Sequence, residues 1–157
     1  VPRSVHRRAR AAAATIRRLE QSSGRAASAT EVAAAMDMPL PEYLRLMEDA
    51  SRGQVLGLES RIEDQGELDT VAQGGPTPQQ VLERGEFGRE LGKAIGHLPE
   101  REQLVLSLYY EQELNLKEIG AVLGVSESRV CQIHGQAVLR LRGRLKVFEA
   151  VDAGLEQ

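Results

Sequence analysis

The chain contains one cysteine, no tryptophan and only five other aromatic residues in 157. A single cysteine excludes an internal disulfide framework and fits a reducing compartment. So few aromatics, beside abundant Ala and Leu, favour small helical bundles with close Ala contacts over a sheet protein. No run of about 18 apolar residues is present, so neither a membrane span nor a membrane partner is expected. No signal-peptide pattern is visible either, and a cytoplasmic location is expected. His6, His97 and His134 lie far apart and Cys131 stands alone, so no metal and no cofactor is expected. Glu100, Glu102, Glu111, Glu113 and Glu118 come without a nucleophile or a phosphate-binding loop. They read as helix caps and solvated faces rather than acid catalysts, and the chain is not expected to be an enzyme.

The net charge is small, −3, but segregated. Residues 1–25 hold seven Arg and one Glu, and residues 128–148 hold four Arg and one Lys with no acid. Residues 26–127 hold eight bases and nineteen acids. Two basic ends around an acidic middle point to two nucleic-acid contacts; ordinary solvated helix faces are the bland alternative.

Helical periodicity begins almost at once. Val5, Ala9, Ala12, Ile16 and Leu19 recur at three or four residues, with Arg7, Arg10, Arg17 and Arg18 mainly opposite. Ser22-Ser-Gly24 ends this helix. Ser28 and Glu31 have capping-box spacing and open a short second helix. Asp37-Met-Pro39 makes a turn, and Pro41 suits the first position of a third helix that buries Leu44 and Met47 with Tyr43 at its edge. Residues 1–50 thus read as a three-helix domain. Residues 51–76 contain five Gly and the acids Glu59, Glu63, Asp64, Glu67 and Asp69. They read as an acidic flexible linker, too long for a loop inside one compact domain.

A second domain is expected over 77–148, with a tail at 149–157. Thr77-Pro-Gln-Gln80 signals a helix start, and Val81, Phe87, Leu91, Ala94, Ile95 and Leu98 supply its stripe. Pro99 opens the next helix, with Leu104, Val105 and Leu108 inward, and Glu111 to Glu113 forms a polar turn. Asn115 and Glu118 then form a reciprocal capping box, so a helix starts at Leu116 with Ile119, Val122 and Leu123 inward. Gly124 suits a left-handed helix end, and Ser126 caps the last helix. Val130, Ile133, Ala137 and Leu141 form that helix's inward stripe. Its other face offers Glu127, Ser128, Arg129, Gln132, Gln136 and Arg140, followed by Arg142, Arg144 and Lys146. A helix held by its back with polar and cationic side chains in front is a helix-turn-helix reader of a DNA major groove. A shift of 87 residues lays a weaker first copy on this unit, pairing Glu31-Val32 with Glu118-Ile119 and Met38 with Val125. The first copy's proline-bounded, acidic third helix is a poor groove reader, so phosphate contacts there should come from the basic first helix.

On these residues the chain resembles the C-terminal half of a bacterial RNA polymerase sigma factor of the flagellar (motility) class. Leu98 to Tyr110, followed by Leu114 to Gly120, looks like the first part of sigma region 4. Gly124 to Val130, with Gln132-Ile-His134, looks like its DNA-reading part. Residues 5–50 resemble region 3, and 51–76 the region 3.2 linker. The resemblance implies an all-α fold of two small helical domains and a role in promoter recognition and transcription initiation. It assigns Glu127, Ser128, Arg129, Gln132, Gln136 and Arg140 to the −35 element, and His6, Arg7 and Arg10 to DNA just upstream of the −10 element. The implied partners are promoter DNA, the RNA polymerase core through its β flap and β′ subunits, and a flagellar anti-sigma factor. Apart from a remnant at Val1–Ser4, the region that melts the −10 element is not recognisable, so this stretch is not expected to initiate transcription alone. The alternative from the residues is a helix-turn-helix regulator of response-regulator output type. The two domains are expected to move relative to each other unless a partner fixes them.

Overall fold

The computed structural model describes residues 3–53 and 77–145, the side chains of 3 and 80–84 excepted. The acidic linker beyond Gly53, the Val81 side chain, Lys146 and the tail lie outside the described residues. Seven α-helices are present among them: α1 (Arg3–Ser23), α2 (Ala29–Ala35), α3 (Leu40–Gly53), α4 (Pro78–Gly96), α5 (Glu100–Leu106), α6 (Leu116–Leu123) and α7 (Glu127–Arg144). A π turn, Ser107–Glu111, extends α5. No strand occurs among the described residues, in accord with the all-α reading.

Local chemistry fixes most of the boundaries. Ser28 and Asn115 each accept from the backbone N–H three residues on, while Glu31 and Glu118 each accept from the cap residue's own N–H. Each box satisfies two donors that a helix start would otherwise leave open. The 87-residue repeat is real in three dimensions: the two boxes occupy equivalent positions, and so do the left-handed residues Asp37 (φ 54°) and Gly124 (φ 73°). Asp at this position is strained where Gly is not. The first unit therefore also has a helix–turn–helix plan, α2–α3, behind the long α1.

The core is shared rather than divided. Ala9, Ala12, Ala13 and Ile16 of α1 pack in one cluster with Val32 and Ala33 of α2, Tyr43, Leu46 and Met47 of α3, Ala94 of α4, and Ala137, Val138, Leu139 and Leu141 of α7. Val105, Ile119, Val130 and Ile133 form a smaller cluster at the centre of α5, α6 and α7. Helix α7 belongs to both, and its most extensive neighbours are α3 and α1. Two glycines permit this closeness. A Cβ on Gly135 would lie 2.0 Å from the carbonyl oxygen of Met47, and one on Gly143 would lie 2.9 Å from that of Ala13. The backbone of α7 thus rests on those of α3 and α1, where any side chain would hold them apart. The two small helical units thus pack against each other in this structure: the small residues that mark a close helix contact lie on α7 and face the first unit.

Several inward assignments shift accordingly. Tyr43 is fully buried instead of at the edge of α3, because α7 covers it. Val122 and Leu104, expected inward, are 62% and 46% exposed. Their helices are short, and the neighbouring stripe positions Ile119 and Val105 already fill the small cluster.

Candidate nucleic-acid interface

The turn between α6 and α7 has the geometry its sequence requires. The N–H of Val125 bonds to the carbonyl of Gly120 at 3.0 Å, and the Ser126 hydroxyl accepts from the N–H of Arg129 at 3.1 Å. Glu127, Ser128 and Arg129 stand exposed on the first turn of α7, and Gln132 is half-buried one turn on. Arg129 Nη1 donates to Gln132 Oε1 at 3.4 Å, so the two side chains face the same way. A guanidinium donor beside an amide is suited to guanine and adenine edges, respectively. Glu127 is an acceptor at a helix N-terminus, where a negative charge is favoured.

The rear of α7 is different. Gln136 and Arg140, expected to face DNA with the tip, are 7% and 2% exposed. The Tyr43 hydroxyl donates to Gln136 Oε1 at 2.5 Å, and Gln136 Nε2 is buried without a partner. Arg140 is enclosed by two carboxylates. Its Nε and Nη2 each donate to Glu102 at 3.0 Å, and its Nη1 donates to Glu20 and, at 3.0 Å, to the carbonyl of Ala27. Arg144 completes the cluster with a 2.9 Å bond to Glu20. Two guanidiniums and two carboxylates form a neutral quartet, which makes burial of Glu20, Glu102 and Arg140 tolerable, with Arg144 at its half-buried edge. The Glu102 carboxyl is raised above its usual range by burial, which the bonds from Arg140 oppose. Arg140 stays protonated: burial works against its charge, but the bonds and field of Glu102 and Glu20 outweigh it.

His134 was expected near the DNA face. It lies instead between Ser51, whose Oγ is 2.7 Å from Nδ1, and the Tyr110 hydroxyl, 3.4 Å from Nε2. The π turn sets Tyr109 and Tyr110 beside it, with ring centroids 4.9 and 6.1 Å from the imidazole. Burial pushes its pKa down to about 4. Cys131 is also fully enclosed, and burial raises its thiol.

On α1, His6 and Arg7 are exposed and Arg10 is half-buried. Arg8 is taken up by a 2.8 Å ion pair with Glu42 of α3. The sequence-derived candidates therefore fall into three groups: a free tip (Glu127, Ser128, Arg129, Gln132), a free basic face (His6, Arg7, Arg10), and a covered pair (Gln136, Arg140).

Glu20 and Glu102 were not singled out as a pair from sequence. A signal was present for Glu20. It continues the inward run Ala9, Ala12, Ala13, Ile16 at four-residue spacing, and an acid on a buried stripe needs a cation. Glu102 was read as solvated, yet it is 7% exposed. Its cation lies 38 residues away, beyond the reach of any local pattern. Among the described residues no cluster of His, Cys, Asp and Glu has the makings of a metal site, and no helix is long and apolar enough to cross a membrane.

Comparison with known proteins places these elements. The family model "Sigma-70 region 3" matches residues 7–82, and "Sigma-70, region 4" matches residues 94–143. The chain is 47% identical over 148 residues to RNA polymerase sigma factor FliA of Salmonella typhimurium, covering 92% of this chain and 62% of that protein. It is 44% identical over 146 residues to FliA of Pseudomonas aeruginosa, covering 92% and 59%. It is 30% identical over 151 residues to the sigma-D factor of Bacillus subtilis, covering 93% and 59%. The chain thus spans roughly three-fifths of the length of these relatives. Among solved structures, the cocrystal structure of the flagellar sigma/anti-sigma complex, Sigma-28/FlgM, matches with a TM-score of 0.50 and 28% identity over 92% of this chain and 62% of that one.

Proposed function

The chain belongs to the sigma-70 family, in its flagellar class, and from that premise we propose that it is the promoter-reading part of a transcription initiation factor. In this reading α7 delivers Glu127, Ser128, Arg129 and Gln132 to base edges of the −35 element. His6, Arg7 and Arg10 of α1 approach the duplex upstream of the −10 element. The protein acts with RNA polymerase core, which it contacts through the β flap and β′, and is held in check by a flagellar anti-sigma factor. It is not an enzyme and works in the cytoplasm.

The observation that carries this reading is the α6–α7 unit: a capped helix whose exposed first turn holds a guanidinium, an amide and a carboxylate side by side. The response-regulator alternative is less favoured, because such an output domain offers no counterpart to α1–α3, where the region 3 model matches.

Binding of promoter DNA needs more of α7 than its tip. A reading helix presents its N-terminal residues to base edges, and phosphate contacts beside them fix its position in the groove. In the packed form, Ile133 to Gly143 are covered. Phosphate contacts from that part of α7 therefore involve its separation from α1 and α3. Fluorescence anisotropy against a duplex carrying a flagellar-type −35 element, with a scrambled duplex as control and salt varied, tests the reading. Preference for the promoter duplex that disappears in Arg129→Ala supports it. Equal affinity for both duplexes, at low salt and with polymerase core added, rejects it.

A further inference from the structure

Glu20 is the only acid among the first 25 residues, and it sits on the buried side of α1. Its carboxylate has three donors. Oε2 accepts from Arg140 Nη1 and, at 3.1 Å, from the N–H of Ala27; Oε1 accepts from Arg144 Nη2 at 2.9 Å. Ala27 belongs to the first unit, whereas both arginines come from α7. Arg140 is meanwhile held by Glu102 of α5 through two further bonds. Should α7 leave α1, Arg140 keeps its bidentate partner and Glu20 loses two of its three donors.

Two neutral bonds accompany this node on the seam. Tyr43 meets Gln136, and Ser51 meets His134. Neutral hydrogen bonds exchange with water at small net cost, while bonds to charged groups are worth about twice as much. The Gln136 amide nitrogen already lacks a partner in the packed form, which favours opening. The charged node is therefore a stronger tie than either of these neutral bonds. It borders a groove of about 670 Å³, also lined by Arg17, Lys93 and His97, through which water can reach Glu20 as its donors depart.

We propose that Glu20 is the latch of the packed form: a positioning residue that sets the fraction of molecules whose reading helix is free for promoter DNA. Arg140 is the fixed half of that latch. It stays with Glu102 when the seam opens and makes no base contact in either state. This rests on the promoter-reading function proposed above, which it deepens.

The chain carries its own probe. Cys131 is its only cysteine, fully buried on α7, with Ser51 and the charges of Glu48 and Arg52, all from α3, beside it. A thiol reagent reaches it when the seam opens. In the 157-residue chain, Glu20→Gln is expected to speed labelling of Cys131 on the order of tenfold, with the helical circular dichroism unchanged. Arg144→Gln, which removes the outer tie alone, is expected to act in the same direction by less. Affinity for the −35 duplex should rise in the same order. If Glu20→Gln fails to fold, Arg144→Gln decides alone. Labelling no faster than wild type in every variant that folds overturns the latch, whatever DNA binding does. Faster labelling without a gain in preference for the promoter over the scrambled duplex upholds the latch and counts against the promoter reading.

Discussion

Arg140 is a cation on α7 that the fold uses to join three helices. Removing it would leave Glu20 and Glu102 buried with reduced compensation, and Arg140→Leu is expected to destabilise the protein by about 3–5 kcal/mol in denaturant unfolding. An exposed DNA contact would cost almost nothing in that experiment. Arg129 and Gln132 are the converse case. Both stand at the solvent-accessible tip, so Arg129→Ala and Gln132→Ala should leave thermal stability nearly unchanged. Each should weaken or relax −35 recognition by about 1–3 kcal/mol in anisotropy titrations. His134 supplies a pH dependence with a definite sign. Its folded pKa of about 4 lies below the ordinary 6.5. The neutral ring's contribution is therefore complete above pH 6.5 and is lost as pH falls toward 4, because the unfolded chain takes up the proton first. The loss amounts to about 3 kcal/mol across that window. The raised carboxyl of Glu102 acts with opposite sign and offsets part of it. Thermal melts from pH 7 to 4 should show a decline that His134→Gln flattens.

Single elements carry their own consequences. Helix α7 reads as a reader at its first turn and as a structural strut from Ile133 onward, and Gly135 marks the change. A methyl group there collides with the Met47 carbonyl, a backbone atom that cannot rotate away. Gly135→Ala is expected to push α7 off α3, exposing Cys131 to thiol reagents and lowering stability by about 1–3 kcal/mol. At the start of the same helix, Ser126→Ala removes the bond to the Arg129 N–H and should cost about 1 kcal/mol. Element boundaries were legible because they depend on residues within four positions of one another. The capping boxes at Ser28 and Asn115, the left-handed turn at Gly124 and the cap at Ser126 all follow from the local sequence. The π turn was not legible. Ser107–Glu111 reads as ordinary helix, and what distinguishes it is tertiary: two tyrosines brought against His134 from α7.

For the whole molecule, the central feature is competition for one surface. On the proposed function, the tip of α7 from Glu127 to Gln132 is free for a major groove, while its continuation from Ile133 to Gly143 is covered by the rest of the molecule. Free chain is therefore expected to scatter X-rays as one compact particle and to expand when a −35 duplex binds. A radius of gyration that stays constant through saturation with the duplex would contradict this. The packing also brings acids of the molecule against its basic ends. Acids of α1, α3 and α5 neutralise part of the basic ends within the molecule, as in the pairs Arg8–Glu42 and Arg140–Glu102.

The amino-acid sequence by itself determined the helices, their caps, the two-fold repeat of the helix–turn–helix plan and the polar tip at Glu127 to Gln132. Each of these rests on periodicity or on hydrogen bonds that close within a single turn of chain. Only the tertiary structure decided that Gln136 and Arg140 face protein rather than solvent. Their partners, Tyr43 and Glu20, lie 93 and 120 residues away along the chain. A helix face rich in Gln and Arg looks the same in sequence whether it meets phosphates or buried carboxylates; which of the two it meets depends on how closely backbones approach at Gly135 and Gly143.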